Sequence, residues 1–92
     1  MDGYEWDLAK ARLHFERHGV RFVDAALSLE DPFAVTVANP DSEGEARFVA
    51  LALDPQGRIL VVVYSHGSEK TRIISARRAS PGERAQSARR DA

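Results

Sequence analysis

The sequence predicts an α+β domain in which two N-terminal helices and one C-terminal helix pack on a four-stranded antiparallel sheet. Residues 8–29 repeat apolar side chains at helical spacing, whereas residues 33–76 form strand-like apolar segments separated by turn residues. From residue 80 onward the sequence starts a helix again. Because a chain of 92 residues rarely divides its core, we expect residues 1–92 to form a single compact domain.

The first helix is predicted to begin after Asp7 and to end at about residue 18. The Asp7 carboxylate can accept hydrogen bonds from exposed backbone N–H groups, and Gly19 tolerates the left-handed conformation that ends helices. Leu8, Ala11 and Phe15 recur at i, i+3 and i+7. We therefore expect these three residues to form one stripe that faces the core.

Two shorter helices are predicted elsewhere. Residues 22–29 repeat apolar side chains at helical spacing, and Asp31-Pro32 closes this helix because the residue before proline avoids helical angles. The C-terminal helix begins at Ser80, which can cap it while Glu83 reaches back in a capping box. This helix is poor in apolar residues and buries little area, so its hold on the sheet should be weak.

Four strands joined by hairpins account for the middle of the chain. The third contains residues 59–64, which are apolar on both faces and therefore mark a central strand covered on both sides. Turns are expected at Asn39-Pro40, Asp54-Pro55-Gln56-Gly57 and Gly67-Ser68. The predicted strands span residues 33–37, 47–53, 58–66 and 71–76.

Composition excludes several classes of protein. The chain has no Cys, which excludes disulfides, thiolate metal sites and cysteine nucleophiles. No leader opens the chain and its longest apolar run is too short to span a bilayer, so we expect a cytoplasmic protein without a membrane partner. Residues 1–56 carry 5 Lys and Arg against 11 Asp and Glu, whereas residues 57–92 carry 8 against 3. A near-neutral chain does not coat nucleic acid non-specifically, but its second half can form a local cationic groove.

The first candidate cluster lies along the first helix. Asp7, Lys10, His14 and His18 recur at i, i+3, i+7 and i+11, beside the apolar stripe. His14 and His18 have a spacing that can bind a metal, but a third ligand and the zinc-protease pattern are missing, so no metal site is expected. In the functional interpretation, this polar stripe lines a cleft in which an imidazole transfers protons beside cations. In the alternative interpretation, it is a solvated flank of the helix.

The second candidate cluster lies on the strands. Glu45 and Arg47 stand two residues apart and therefore share a face, while Arg72 and Arg77 begin and end the fourth strand region. Guanidinium groups make paired hydrogen bonds to phosphate oxygens and keep their charge, which suits RNA cleavage without a metal or other cofactor. The RNA 2′-hydroxyl would be deprotonated, and Arg or Lys would stabilise the charge of the phosphorane. Spacing alone favours the alternative, cross-strand ion pairs on an outer face.

Several segments together resemble the BrnT family of bacterial toxins. The similarity follows chain order and covers nearly the whole sequence. The matching residues are Glu5-Trp6-Asp7, Lys10-Ala11, Arg17-His18-Gly19-Val20, Phe22, Asp31-Pro32, Ser42, Glu45, Arg47, Gly57-Arg58, Leu60, Val62, Arg72-Ile73-Ile74-Ser75-Ala76-Arg77, Ala79 and Glu83.

The resemblance implies a compact RelE-like fold and a ribonuclease toxin of a type II toxin–antitoxin pair, whose RNA cleavage stops translation and growth. It also implies a BrnA-like antitoxin with a DNA-binding domain, so that promoter DNA is reached only indirectly, through the antitoxin. The family positions carried over to this chain are Trp6, Asp7, Lys10, His18, Glu45, Arg47, Arg72 and Arg77.

Roles follow from residue type at these positions. Proton transfer is assigned to His18 or Glu45. Phosphate binding and charge stabilisation are assigned to the cations, which are Arg47, Arg72, Arg77 and Lys10. Trp6 can stack a base, although clamping the first helix to the sheet is its favoured role.

The chain departs from the family pattern at three positions. His14 stands where Asn is common, Asp41 where His is common, and Ser87 near a position that often holds Tyr. Aspartate in place of histidine at position 41 removes a hydrogen-bond donor from a phosphate-binding cleft and adds charge repulsion. His14, as a substrate-binding residue, can compensate for this loss only if it lies close to Asp41 in space. The alternative function is therefore a catalytically weak or inactive homologue that binds the antitoxin and acts as a transcriptional co-repressor.

Overall fold

The computed structural model describes residues 2–39, 44–67 and 69–88. These residues form three helices and one five-stranded sheet with the strand order β1-β5-β4-β3-β2. The elements in chain order are β1 (Tyr4–Glu5), α1 (Leu8–His18), α2 (Phe22–Ser28), β2 (Val35–Ala38), β3 (Arg47–Leu53), β4 (Ile59–His66), β5 (Thr71–Arg78) and α3 (Pro81–Ala88). No helix in these ranges is long and apolar enough to cross a membrane. Pro40 and Ser68, which belong to two of the predicted turns, lie outside the described residues.

The α+β class is confirmed, but the prediction of a four-stranded, wholly antiparallel sheet is wrong. β1 is a fifth strand and pairs in parallel with β5, Tyr4 opposite Thr71 and Glu5 opposite Arg72. The other three pairings are antiparallel. Two residues are too few to show an alternating pattern, so no local signal marks β1. The RelE-like arrangement expected from the resemblance is therefore met only in part.

β2 begins later than predicted and is exposed along its whole length rather than half-buried. The Asp31 carboxylate holds the preceding turn by accepting hydrogen bonds from the backbone N–H groups of Phe33 (3.0 Å) and Leu53 (2.9 Å). This local turn keeps Phe33 out of the ladder. β2 forms one edge of the sheet, and β1 forms the other.

The predicted ends of α1 are confirmed. The Asp7 Oδ1 atom accepts hydrogen bonds from the backbone N–H groups of Ala9 (2.8 Å) and Lys10 (3.1 Å). Gly19 follows the helix with φ of 68°, and its N–H donates to the Phe15 carbonyl at 2.8 Å. Both ends are set by short-range chemistry that the sequence displays.

The predicted core stripe of α1 is wrong for two of its three members. Leu8 is 79% exposed and Phe15 is 50% exposed, and only Ala11 packs against the core. Trp6, just before the helix, meets the Phe22 ring edge-on at 6.2 Å, and the His14 ring lies 5.4 Å from Phe22, so the His14 side of α1 faces the core. Leu8 and Phe15 are left as an apolar surface facing solvent.

The sheet has two faces with different coverings. The front face is covered by α1 and α2, and Phe22, Ala25 and Ala26 of α2 are buried there. The back face carries a smaller cluster of Leu51, Val61 and Ala79, and α3 lies beside it. The front core consists of Val20, Phe22, Ala25, Ala26, Leu60, Val62, Ile73 and Ala76.

A buried carboxylate fixes the turn between β3 and β4. Asp54 accepts hydrogen bonds from the backbone N–H groups of Gln56 (3.0 Å) and Arg58 (2.8 Å) and pairs with the Arg58 guanidinium at 2.8 Å. Arg58 also donates to the Gly19 carbonyl at 3.1 Å. Gly57, with φ of 82°, completes the turn as predicted. The network ties this turn to the helical layer.

The capping box of α3 is confirmed. The Ser80 N–H donates to Glu83 Oε1 at 2.8 Å, and the Glu83 N–H donates to Ser80 Oγ at 3.2 Å. Because α3 buries few apolar side chains, this box and the ion pair described next are the main fixed contacts of its first turn.

Candidate active site

Two of the predicted arginines lie in one row across the back face. Ser65 of β4 is the register partner of Arg47 in β3 and of Arg72 in β5, so the three side chains point to the same side. We call these three residues the arginine row. Ser65 is fully buried, and its Oγ atom has no hydrogen-bond partner among the described residues. Glu5 extends the row into β1 and lies 3.3 Å from the Arg72 guanidinium.

Arg77 lies on the same face, farther along β5, opposite Val61. Arg72 and Arg77 are five residues apart, which in a regular strand places side chains on opposite faces. The register shifts between Val63 and Tyr64 of β4, so that Val63 pairs with Ser75 and Tyr64 with Ile73. This β-bulge returns Arg77 to the back face, and bulges often re-aim side chains beside functional sites.

Arg77 is held by the capping carboxylate of α3. Its Nη1 and Nη2 atoms donate to the two Glu83 oxygens at 2.8 and 2.9 Å. The bonds from Arg77, followed by that from the Ser80 backbone, lower the pKa of Glu83 to about 2. The same pair raises the pKa of Arg77. The predicted phosphate ligand Arg77 is therefore occupied by an internal anion.

The two predicted histidines lie in the helical layer, on the front of the sheet. The His14 ring is 5.4 Å from Phe22 in the front core and 5.8 Å from His18. Burial, followed by the charges of His18, Arg17 and Lys10, lowers the pKa of His14. Strand alternation directs the arginines to the back of the sheet, so His18 and the arginines lie on opposite sides of it. A role for His18 in proton transfer stays a prediction.

Two further substrate-binding candidates also belong to the front layer. Trp6 is half-buried and packs edge-on against Phe22, which agrees with its favoured role as a clamp. Lys10 is exposed on α1, and its backbone N–H is part of the Asp7 cap. Neither residue joins the arginine row.

Glu45 and the segment before it complete the predicted set. Glu45 is exposed and precedes Arg47 by two residues, at the end of the sheet where β3 begins. Asp41 and Ser42 lie outside the described residues. Glu45 is thus the proton-transfer candidate that stands nearer in the chain to the arginine row than His18.

Sequence reasoning missed Ser65 and the aromatic residues around it. Ser65 interrupts an otherwise apolar alternation of Ile59, Val61 and Val63 on the back face, and that break was a usable signal. His66, which follows Ser65 directly, was not among the candidate residues either.

The described residues contain no group of three or more His, Asp or Glu placed to hold a metal ion. The back face instead carries permanent positive charge. The guanidinium groups of Arg47 and Arg72 lie on either side of the Ser65 hydroxyl, and that of Arg77 lies on the same face. Such an arrangement can bind anionic oxygens and stabilise charge that develops on them.

Comparisons with known proteins show the family of this chain. A family model described as the ribonuclease toxin BrnT of type II toxin–antitoxin systems matches residues 6–83. The crystal structure of the Brucella abortus ribonuclease toxin BrnT, solved at 1.1 Å, is similar to this chain with 27% sequence identity and a TM-score of 0.59. The match covers 82% of this chain and 92% of that one. A search of the curated proteins found no match. This chain belongs to the BrnT family of ribonuclease toxins of type II toxin–antitoxin systems.

Proposed function

We propose that this chain is an endoribonuclease toxin that cleaves RNA without a metal ion and thereby inhibits translation and growth. The arginine row is the observation that carries the proposal, because it sets two guanidinium groups on either side of a buried, unpartnered hydroxyl. Paired hydrogen bonds from guanidinium groups match the oxygens of a phosphodiester. Membership in a ribonuclease toxin family supports RNA as the substrate.

The reaction is a transfer within the RNA itself. The 2′-oxygen attacks the adjacent phosphorus, the bond from phosphorus to the 5′-oxygen breaks, and a 2′,3′-cyclic phosphate and a 5′-hydroxyl result. A base removes the proton from the 2′-hydroxyl, and an acid returns a proton to the leaving 5′-oxygen. Arg47 and Arg72 stabilise the charge that gathers on the phosphorane oxygens.

Glu45 is the base in this proposal. It precedes Arg47 by two residues and is exposed, so that a bound ribose can reach its carboxylate. His18 is the weaker choice because it lies in the helical layer with His14. Arg77 contributes to binding once a phosphate displaces Glu83 from its guanidinium group.

The partner in this proposal is a BrnA-like antitoxin. The toxin–antitoxin complex is located in the cytoplasm and binds promoter DNA through the antitoxin. Type II systems pair each toxin with a protein antitoxin, and the family description places this chain in such a system. Leu8 and Phe15 give α1 an exposed apolar surface of the kind that protein partners cover.

Induced expression tests the proposal in cells. The native chain should arrest growth, whereas Arg47→Ala and Arg72→Ala should each relieve the arrest while the protein stays folded. Arg12→Ala, which removes an exposed guanidinium from α1, is the matched control and should arrest growth like the native chain. Arrest that persists in the Arg47→Ala, Arg72→Ala double variant would show that the arginine row is not the site.

One observation favours a second function, that of a catalytically inactive co-repressor which binds the antitoxin. Arg72 and Arg77 are already paired with the carboxylates of Glu5 and Glu83, which weakens the field that an RNA phosphate would meet. Purified protein that binds the antitoxin tightly, yet leaves single-stranded RNA intact at much higher concentrations than binding needs, would identify this function.

A further inference from the structure

The front face carries an aromatic cluster at the end of the sheet where β4 finishes. Phe48 and Tyr64 are cross-strand partners, and their rings stack at 5.5 Å with 28° between the planes. The His66 ring lies 5.1 Å from Phe48 and 5.6 Å from Tyr64. Phe48 and Tyr64 are half-buried and His66 is exposed, so part of the cluster faces solvent.

A cleft of about 160 Å³ opens beside this aromatic cluster. Tyr64 and His66 line it on the sheet side, and Thr36 and Thr71 bring hydroxyl groups to its wall. Tyr4 also lines it, with a hydroxyl that donates to Glu30 at 2.9 Å. The cleft therefore offers flat apolar surfaces together with hydrogen-bonding groups at its rim. Its volume suits a single ring system rather than a folded peptide.

The aromatic cluster lies directly behind the arginine row. Phe48 follows Arg47 in β3, and Tyr64 and His66 flank Ser65 in β4. Successive residues of a strand have Cα atoms about 3.8 Å apart and point to opposite faces. The same end of the sheet thus presents guanidinium groups on one side and stacked rings on the other.

We propose that the Phe48–Tyr64–His66 cluster is a base-binding subsite, which stacks one unpaired nucleobase while Arg47 holds a neighbouring phosphate. The inference rests on the proposed ribonuclease function and names the part of the substrate that the cluster recognises. A ligand that binds both the guanidinium groups and the aromatic rings at this end of the sheet needs an anionic backbone that carries flat rings. Single-stranded RNA has that chemistry. A duplex does not suit the cluster, because its bases are already stacked on each other.

The first test leaves the protein unaltered. Adenosine 5′-monophosphate is titrated into the native chain while the ring signals of Tyr64 and His66 are followed by NMR. Ribose 5-phosphate, which has the sugar and phosphate but no base, is the matched ligand control. Stacking predicts that the nucleotide shifts these ring signals and that ribose 5-phosphate leaves them in place. Equal responses to the two ligands, or none to millimolar nucleotide, overturn the proposal.

The second test measures binding of a fluorescent RNA hexamer whose 2′-hydroxyls are methylated to prevent cleavage, beside an abasic hexamer of the same length. Tyr64→Leu and His66→Ala should weaken binding of the base-bearing hexamer about 5- to 150-fold, the loss expected for one base–aromatic stack. Binding of the abasic hexamer should not change. Phe33→Leu, an aromatic substitution at an exposed turn residue outside the cluster, is the control and should bind both hexamers like the native chain.

The outcomes separate this inference from the proposed function. If the native chain cleaves RNA and His66→Ala and Tyr64→Leu bind both hexamers normally, the subsite is refuted and the nuclease stands. If the native chain neither binds the hexamers nor cleaves RNA, both proposals fail. If an antitoxin shifts the ring signals and nucleotide does not, the cluster belongs to a protein interface and the base-binding proposal is overturned.

Discussion

Glu83→Gln tests the contact that fixes α3 over the back face. The two carboxylate oxygens accept hydrogen bonds from the Arg77 guanidinium at 2.8 and 2.9 Å, and Oε1 also accepts from the Ser80 N–H. Glutamine keeps the shape of the side chain and can retain the bond to Ser80. The substitution therefore removes the charge while preserving most of the geometry.

The size of the effect follows from the pKa of Glu83, which falls from 4.5 to about 2 in the folded chain. Shielded from water, such a shift would contribute about 3 kcal/mol to the free energy of unfolding at neutral pH. Because Arg77 is 45% exposed and Glu83 is 29% exposed, solvent screening reduces the expected loss to about 1–2 kcal/mol. For a domain of this size, Tm should fall by about 5–10 °C.

The pH dependence identifies the charge as the cause. A depressed folded-state pKa gives stability that is present above pH 4.5 and lost as the pH falls through 2. Urea unfolding of the native chain and Glu83→Gln should therefore differ clearly at pH 7 and converge at pH 2. Glu16→Gln, an exposed carboxylate on α1, is the control. No difference at pH 7, or an equal difference at pH 2, would refute the reasoning.

Three further predictions concern the framework. Gly19→Ala should lower the free energy of unfolding by about 1 kcal/mol, because the φ of Gly19 is 68°. Gly82→Ala, at a helical position with open space around it, should raise the free energy of unfolding by up to about 1 kcal/mol. Thermal unfolding measures both changes, and changes of the same sign would contradict this prediction. Asp54→Asn should cost about 2–3 kcal/mol in urea unfolding, because it removes the carboxylate at 2.8 Å from the half-buried Arg58 guanidinium and leaves only that of Asp24 at 3.5 Å. Exposed Asp2→Asn should change little. In an NMR titration, His14 should show a pKa below 6.5, because burial and then nearby positive charges disfavour its protonated form; a value at or above 6.5 would be inconsistent with its position.

The parts of the fold that the sequence predicted correctly depend on short-range chemistry. The Asp7 cap and the capping box of Ser80 and Glu83 were visible because each involves neighbours within a few residues. β1 could not be predicted because it pairs with β5, whose residues lie more than 60 positions later in the sequence. The stripe on α1 was misjudged because the side of α1 that meets the core, with Ala11 and His14, depends on packing against residues outside the helix such as Phe22.

The side of the sheet on which each candidate residue lies could not be predicted from the sequence. Arg47 and Arg72 do share a face, since each stands opposite Ser65. Arg77 lies on the same face only because of the β-bulge, and no residue pattern in the sequence predicts that bulge. His18 was grouped with the arginines because helix spacing says nothing about which face of the sheet the helix covers.

A cleavage assay on purified protein with single-stranded RNA, in the presence of EDTA, tests directly whether the arginine row cleaves RNA without a metal ion. The products should end in 2′,3′-cyclic phosphate and 5′-hydroxyl groups. The rate should fall at least about 100-fold in Arg47→Ala or Arg72→Ala, as expected when a group that stabilises the transition state is removed. Undiminished cleavage by these variants, or products that carry 5′-phosphates, would contradict the proposed function.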